Sequence, residues 1–377
     1  MNITVLCKVV DNFGDIGVTW RLARQLKKEN PSVCINLIAD NLDSFNKICS
    51  KINPVEHFQV VDGVCVYDWN AYEFCKTEFS KNDGEKLAVI LECFQCGRPD
   101  WMEKILFDEK LERTVQIIMI DYLTAEKYAE DFHCLMSLTR SAKVQKVNFM
   151  PGFTEKTGGL IIDDDWKESF ERNKKGDVLV FTYERNWKPL VKALPCSFLF
   201  INENSEAACE RKILLAQGRG KESFALAASE CGASGLVKEL PYLNQEEWDL
   251  MLKKCSVLFI RGEESMSRAC LSGIPFVWHA YPQSDEYQMV KVNALLERMK
   301  IHFEPNDFEI VRNVWLDFNL PEMEVSEEKM QADILLFLNA SERICRGFQD
   351  FSISLRKIGS LTVHLMTFIN QKCIINE

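Results

Sequence analysis

The first forty residues constrain the fold more than any other stretch. ITVLCKVV (3–10) is an apolar run of strand length, DNFGDIG (11–17) is a turn-rich loop, VTWRLARQLKKEN (18–30) has helical spacing, and CINLIAD (34–40) is a second apolar run. Within the helical segment Val18, Leu22 and Leu26 recur four apart with Ala23 beside them, while Arg21, Arg24, Lys27 and Lys28 take the other side. A strand followed by a helix and another strand joins parallel neighbours through a crossover, so an α/β fold on a parallel sheet is expected. LAVILECF (87–94) and TVQIIMIDYL (114–123) continue the pattern.

The alternation stops at PGFTEKTGGL (151–160) and the charged stretch DDDWKESFERNKKGD (163–177), then resumes. Strands are expected at 177–183, 197–202, 235–242, 256–260 and 275–281, and helices near 187–194, 246–255 and 266–273. RGEES (261–265) reads as the loop before the last of these helices. A chain of 377 residues at about 150 per domain gives two domains. The expected division is 1–165 and 166–349, with the helical tail 350–377 crossing back to complete the first domain.

Charge and cysteine usage narrow the function classes. With 45 Lys and Arg against 56 Asp and Glu the net charge is −11, which argues against nucleic acid held by phosphate neutralisation. Fifteen cysteines lie scattered, many inside apolar runs, as expected of buried thiols in a reducing compartment. The single CxxC, Cys93 and Cys96, has no second pair at zinc spacing, and the five histidines form no HxH or HxxxH, so no metal site is expected. No apolar run reaches the roughly 18 residues of a membrane span and no signal-peptide pattern opens the chain, so a cytoplasmic protein without membrane contact is expected.

Two strand-to-helix loops have the content of chemical sites, because open α/β sheets bind ligands beyond the carboxyl ends of their strands. DNFGDIG places Asp11 and Asp15 around a Gly14 turn without the GxGxxG or P-loop pattern. Either carboxylate can bind a cation or act as a base; the plain alternative is that Asp15 only caps the helix. RGEES combines a helix start, Arg261 and Ser265 into an anion site suited to a diphosphate, with Glu263 and Glu264 beside it. Tyr183 and Tyr242, at strand ends, either fill core or stack on a base. His279 reads as a satisfied strand-end histidine rather than a base.

CKVVDNFGDIGVTWRLARQL (7–26), PGFTEKTGGL (151–160), LPYLNQEEWDLML (240–252) and FIRGEESMSRACLSGIPFVWHAYPQ (259–283) together resemble the elongation factor P arginine rhamnosyltransferases, in order along nearly the whole chain. The resemblance implies a GT-B glycosyltransferase fold, two Rossmann-like domains facing across a cleft. The implied reaction is inverting transfer of rhamnose from dTDP-β-L-rhamnose to an arginine of elongation factor P, which activates that factor to relieve ribosome stalling at polyproline. It implies no metal and no cofactor. Asp15 then matches the general base, Asp11 its companion acid, and Glu263 the catalytic-site glutamate. Asn12, Phe13, Gly14, Tyr183, Tyr242, Gln245, Arg261, Glu264, Ser265, Tyr281 and Gln283 match donor-binding positions. Two residues depart from the usual pattern: Tyr242 stands where Phe is more common, and Glu264 where Asp is. The competing readings are a GT-B enzyme with another nucleotide sugar and a small-molecule acceptor, and a non-catalytic binding module.

Overall fold

The computed structural model describes residues 1–10, 13–200 and 211–375. They divide into two compact units, Met1–Asp165 with Ile358–Glu377, and Trp166–Lys357.

In chain order the first unit contains β1 (Asn2–Cys7), α1 (Gly14–Glu29), β2 (Cys34–Ala39), α2 (Leu42–Ile48), β3 (Phe58–Val61), β4 (Val64–Asp68) and α3 (Tyr72–Ser80). It continues with β5 (Val89–Cys93), α4 (Asp100–Leu106), β6 (Val115–Ile120), α5 (Tyr128–Phe132), β7 (Met136–Ser137) and β8 (Val144–Phe149). The sheet order is β3-β4-β2-β1-β5-β6-β8-β7, parallel except for the antiparallel edge strands β3 and β7.

Because side chains alternate across a strand, the continuous apolar runs serve two cores. Ile3, Val5 and Cys7 of β1 join Trp20, Ala23 and Leu26 of α1 on one face. On the other, Leu6, Ile90 and Ile117 meet Phe79 of α3 and Trp101 and Leu106 of α4. Each such large apolar side chain, fully buried, contributes about 1.5–3 kcal/mol.

Arg21 departs from its expected place on the polar side of α1. It is 1% exposed and ion-paired with Asp163, because the segment after β8 runs back over this helix and brings its carboxylate with it.

The short helix α6 (Asp164–Lys167) leads to the second unit, with β9 (Val178–Val180), α7 (Lys188–Cys196), β10 (Ile213–Leu215), α8 (Lys221–Glu230), β11 (Val237–Glu239) and α9 (Gln245–Lys254). β12 (Val257–Arg261), α10 (Glu263–Ser272), β13 (Phe276–His279), α11 (Tyr287–Lys300), α12 (Pro305–Asn319) and α13 (Glu327–Ile358) follow. The sheet is parallel throughout, in the order β11-β10-β9-β12-β13. Its core is aromatic: Phe259 stacks on Phe318, and Phe276 packs against Trp315 and Phe348.

Two expectations are corrected. Residues 197–200 form a turn rather than a strand, with Ser197 Oγ donating to Leu194 O and Phe198 mostly exposed; 201 and 202 lie outside the described residues. β9 pairs with β10, at ILL (213–215), on one side and with β12 on the other. RGEES is not a five-residue loop, since Gly262 at φ 76 turns the chain from β12 into α10 in one step.

The helix crossing position 350 does not break there. Gly347 lies within α13 without breaking it, and the helix runs on to Ile358, before Gly359 at φ 104. Beyond it α14 (Leu361–Ile375) packs Leu361, Leu365, Met366 and Ile369 into the α1-side core of the first unit. The return is pinned by Leu361 N donating to Leu160 O (2.7 Å) and by His364 Nδ1 at 3.0 Å from Gly158 O. Gly159 lies at φ 79, and a Cβ there would stand 2.6 Å from Gly359 O. Gly159→Ala is therefore expected to destabilise the first unit by at least about 1 kcal/mol, read as a lower urea midpoint with an unchanged slope.

Candidate active site

In the first sheet the strand order reverses between β1 and β5, with β2 and β4 on one side and β6 and β8 on the other. Loops leaving such a reversal diverge and open a space beyond the carboxyl ends of the strands. Asp15 sits there. Helix α1 begins at Gly14, four residues earlier than the spacing suggests, with Phe13 at the N-cap making no side-chain cap. Asp15, in its first turn, is 2% exposed. Its Oδ2 accepts from Val10 N (2.9 Å) and its Oδ1 from the Tyr122 hydroxyl (3.1 Å). A carboxylate engaged by a preceding loop and by a residue after β6 is held in a fixed place, which capping its own helix does not require. Phe13 is partly exposed beside it, and Asp11 and Asn12 lie outside the described residues.

In the second unit the corresponding reversal lies between β9 and β12. Arg261 ends β12, with its guanidinium 4.6 Å from the ring centres of both Phe181 and Tyr183. Tyr183 meets Tyr281 edge-on at 5.4 Å, and the Arg219 guanidinium lies 5.8 Å from the Tyr281 ring. Gly218, at φ 153, leaves room for Arg261: a Cβ there would come 3.0 Å from its Nη2. Glu263 and Glu264 open α10, with Ser265 buried behind them. Glu263 Oε1 lies 3.5 Å from Lys291 Nζ, and Glu264 Oε1 the same distance from Gln245 Nε2 at the start of α9. Two guanidinium groups set among aromatic rings, next to a helix N-terminus, form an environment for a doubly charged anion.

This arrangement can be compared with known proteins. The family described as elongation factor P (EF-P) rhamnosyltransferase EarP matches residues 3–370. The chain belongs to this family. A protein-arginine rhamnosyltransferase of Pseudomonas aeruginosa is 31% identical over 350 residues, covering 84% of this chain and 86% of the relative. One from Shewanella oneidensis is 30% identical over 351 residues, covering 84% of each. Among solved structures, one described as the structural basis for EarP-mediated arginine glycosylation of translation elongation factor EF-P aligns over 98% of this chain and 99% of that one. Its TM-score is 0.58 and its identity 18%. A kitacinnamycin glycotransferase aligns with a TM-score of 0.53 at 12% identity, over 98% of both chains. These likenesses define a GT-B fold of Rossmann-like units, and the family makes the protein a protein-arginine rhamnosyltransferase.

Of the donor positions implied by this family, Tyr183, Arg261 and Tyr281 form one contact chain, and Gln245 meets Glu264. Tyr242 stands two-thirds exposed between β11 and α9, and Gln283 is exposed, with its backbone N bonded to Gln288 Oε1. The sequence reading missed QGRGK (217–221), the loop between β10 and α8 that carries Gly218 and Arg219. Its signal was present: the apolar run ILLA immediately before two glycines around an arginine. It was hidden by placing the neighbouring strand at 197–202. Tyr122 was also missed, since a tyrosine just past a strand has no marker in one sequence.

His279 is structural. It is buried, and its Nδ1 accepts from Tyr183 N at 3.2 Å, which fixes the start of the Tyr183 loop. Burial pushes its pKa down to about 3, with Arg185 and Arg261 adding to the effect. The Cys93 and Cys96 thiols are likewise pushed up by burial, Cys96 to about 12, which disfavours the thiolate that redox or metal chemistry needs. Among the described residues no group of three His, Cys, Asp or Glu side chains is placed to hold a metal ion.

The depressed histidine has a pH signature. Below the unfolded value of about 6.5 the unfolded chain takes up a proton that folded His279 refuses, so this contribution to stability is whole above pH 6.5 and is lost as pH falls toward 3. The loss is at most about 1.4 kcal/mol per pH unit. His279→Asn, which keeps an acceptor for Tyr183 N, is expected to lose stability less steeply than the unchanged protein over that window in urea titrations.

Proposed function

We propose that this enzyme transfers rhamnose from dTDP-β-L-rhamnose to one arginine of translation elongation factor P, with inversion at the sugar carbon. The observation that carries this reading is the buried carboxylate of Asp15, held from two directions in a family of protein-arginine rhamnosyltransferases. A guanidinium has a pKa above about 12 and no lone pair ready for attack, so its nitrogen must give up a proton as the bond to carbon forms. A carboxylate suits this step because it attracts the cation and then accepts the proton.

In this reaction the bond from the sugar carbon to nitrogen forms as the bond from that carbon to the diphosphate oxygen breaks. The leaving electron pair stays on dTDP, and the nitrogen's proton passes to Asp15. Arg261, Arg219 and the N-terminus of α10 supply positive charge for the departing diphosphate, so the reaction as proposed calls for no metal or other cofactor. Tyr183, Tyr242 and Tyr281 offer stacking surfaces for the thymine and sugar. In the first unit Asp11 is the companion acid, with Asn12, Phe13 and Gly14 as donor contacts; in the second Glu263, beside Lys291, is the further acid, with Gln245, Glu264, Ser265 and Gln283 as donor contacts. A translation factor as acceptor places the enzyme in the cytoplasm, and among the described residues no helix is long and apolar enough to cross a membrane.

Incubation with elongation factor P and dTDP-β-L-rhamnose is expected to add one deoxyhexose to a single arginine, located by mass spectrometry of the peptides. Asp15→Asn is expected to keep donor affinity in calorimetry and to lower turnover at least about 100-fold; turnover within tenfold of the unchanged enzyme defeats the assignment of the base. Tyr242→Ala is expected to weaken donor binding by about 1–3 kcal/mol of lost stacking, measured in the same calorimeter.

A further inference from the structure

Three neighbouring strands of the first sheet, β1, β5 and β6, send their carboxyl-end loops to Asp15 or to the residue that contacts it. The loop after β1 provides Val10 N. Beyond β6 stands Tyr122, whose hydroxyl lies 3.1 Å from Asp15 Oδ1. The loop after β5 provides Phe94, whose ring stacks on Tyr122 with centroids 4.6 Å apart and planes at 19°.

The geometry of this support is not what the local chain prefers. Phe94 and Gln95 are both left-handed, at φ 55 and 54, a region that costs a bulky residue free energy. The bend is held by Phe94 N donating to Ile120 O (2.7 Å) and by Gln95 Nε2 at 3.3 Å from Asp121 Oδ2. Both bonds tie the β5 loop to the end of β6, which sets the Phe94 ring flat against Tyr122. A strained bend that aims one aromatic ring at another, whose hydroxyl then reaches a buried carboxylate, is a support built in layers.

We propose that Tyr122 is a positioning residue for the transfer reaction. Its hydroxyl fixes Oδ1 and so the rotation of the Asp15 carboxylate, and Phe94 fixes the Tyr122 ring. The direction of the bond is set by chemistry, because an ionised carboxylate only accepts and the phenol therefore donates and keeps its proton throughout. This inference rests on the reading of Asp15 as the base, and acts through orientation: a base turned away from the attacking nitrogen slows the proton transfer while leaving substrate binding alone.

Tyr122→Phe keeps the stacked ring and removes only the hydroxyl. A hydrogen bond to a charged group is worth a factor of about 10–100, so kcat is expected to fall by that much. KM for donor and acceptor should stay within twofold, while the melting temperature falls by a few degrees because the buried carboxylate loses a donor. Phe94→Leu keeps the hydroxyl but removes the flat support, and is expected to lower kcat by a smaller factor with the same unchanged KM. A Tyr122→Phe enzyme with kcat within twofold of the parent overturns the proposal, as does a loss confined to KM, which would make Tyr122 an acceptor contact. The Asp15→Asn variant separates the two readings. If it remains active, the assignment of the base fails; if it is inactive while Tyr122→Phe is not, only the positioning role fails.

Discussion

The structure turns on a charged carboxylate held out of water. Burying an unpaired carboxylate is costly, and it becomes tolerable only when donors meet it in good geometry. At Asp15 one donor is local, the backbone N of Val10 five residues earlier, and another is remote, the phenol of Tyr122, 107 residues away. Much of the first sheet can be understood as the frame that brings them together. The parallel order puts the ends of β1, β5 and β6 side by side, and the two-sided apolar core keeps those strands in register.

The second unit poses a different electrostatic problem, holding two guanidinium groups among aromatic rings. The Arg261 guanidinium lies against the Phe181 and Tyr183 rings, whose faces attract a cation without neutralising it. Gly218 makes the close approach possible, and neutral His279 fixes the Tyr183 backbone without adding a third positive charge. Asn319, buried at the end of α12, accepts from Ala280 N and donates to Trp278 O, which anchors the strand end from which Tyr281 projects.

Much of this was legible in the sequence, and the failures have particular causes. The βαβ opening was clear because β1 and β2 are uninterrupted apolar runs around a helix of regular spacing. The start of α1 was placed late because Gly14 and Gly17 look like turn residues, yet both lie inside the helix. SFLF (197–200) has strand composition but follows Pro195, and it forms a turn while the less conspicuous ILL takes the place beside β9. Arg21 seemed to belong to a solvated face until Asp163 was brought over it.

The sequence by itself determined the parallel α/β class, the family, and Asp15 and Arg261 as residues of chemical interest, because strand runs, helix spacing and motifs are local patterns. Only the tertiary structure decided what surrounds them: that Tyr122 reaches Asp15, that Phe94 supports Tyr122, and that Arg219 joins Arg261 around Tyr183 and Tyr281. The reason is physical. Each of these contacts joins side chains at the ends of different strands, and which strand ends are neighbours is set by sheet order, which the burial of two apolar faces selects and no local pattern records.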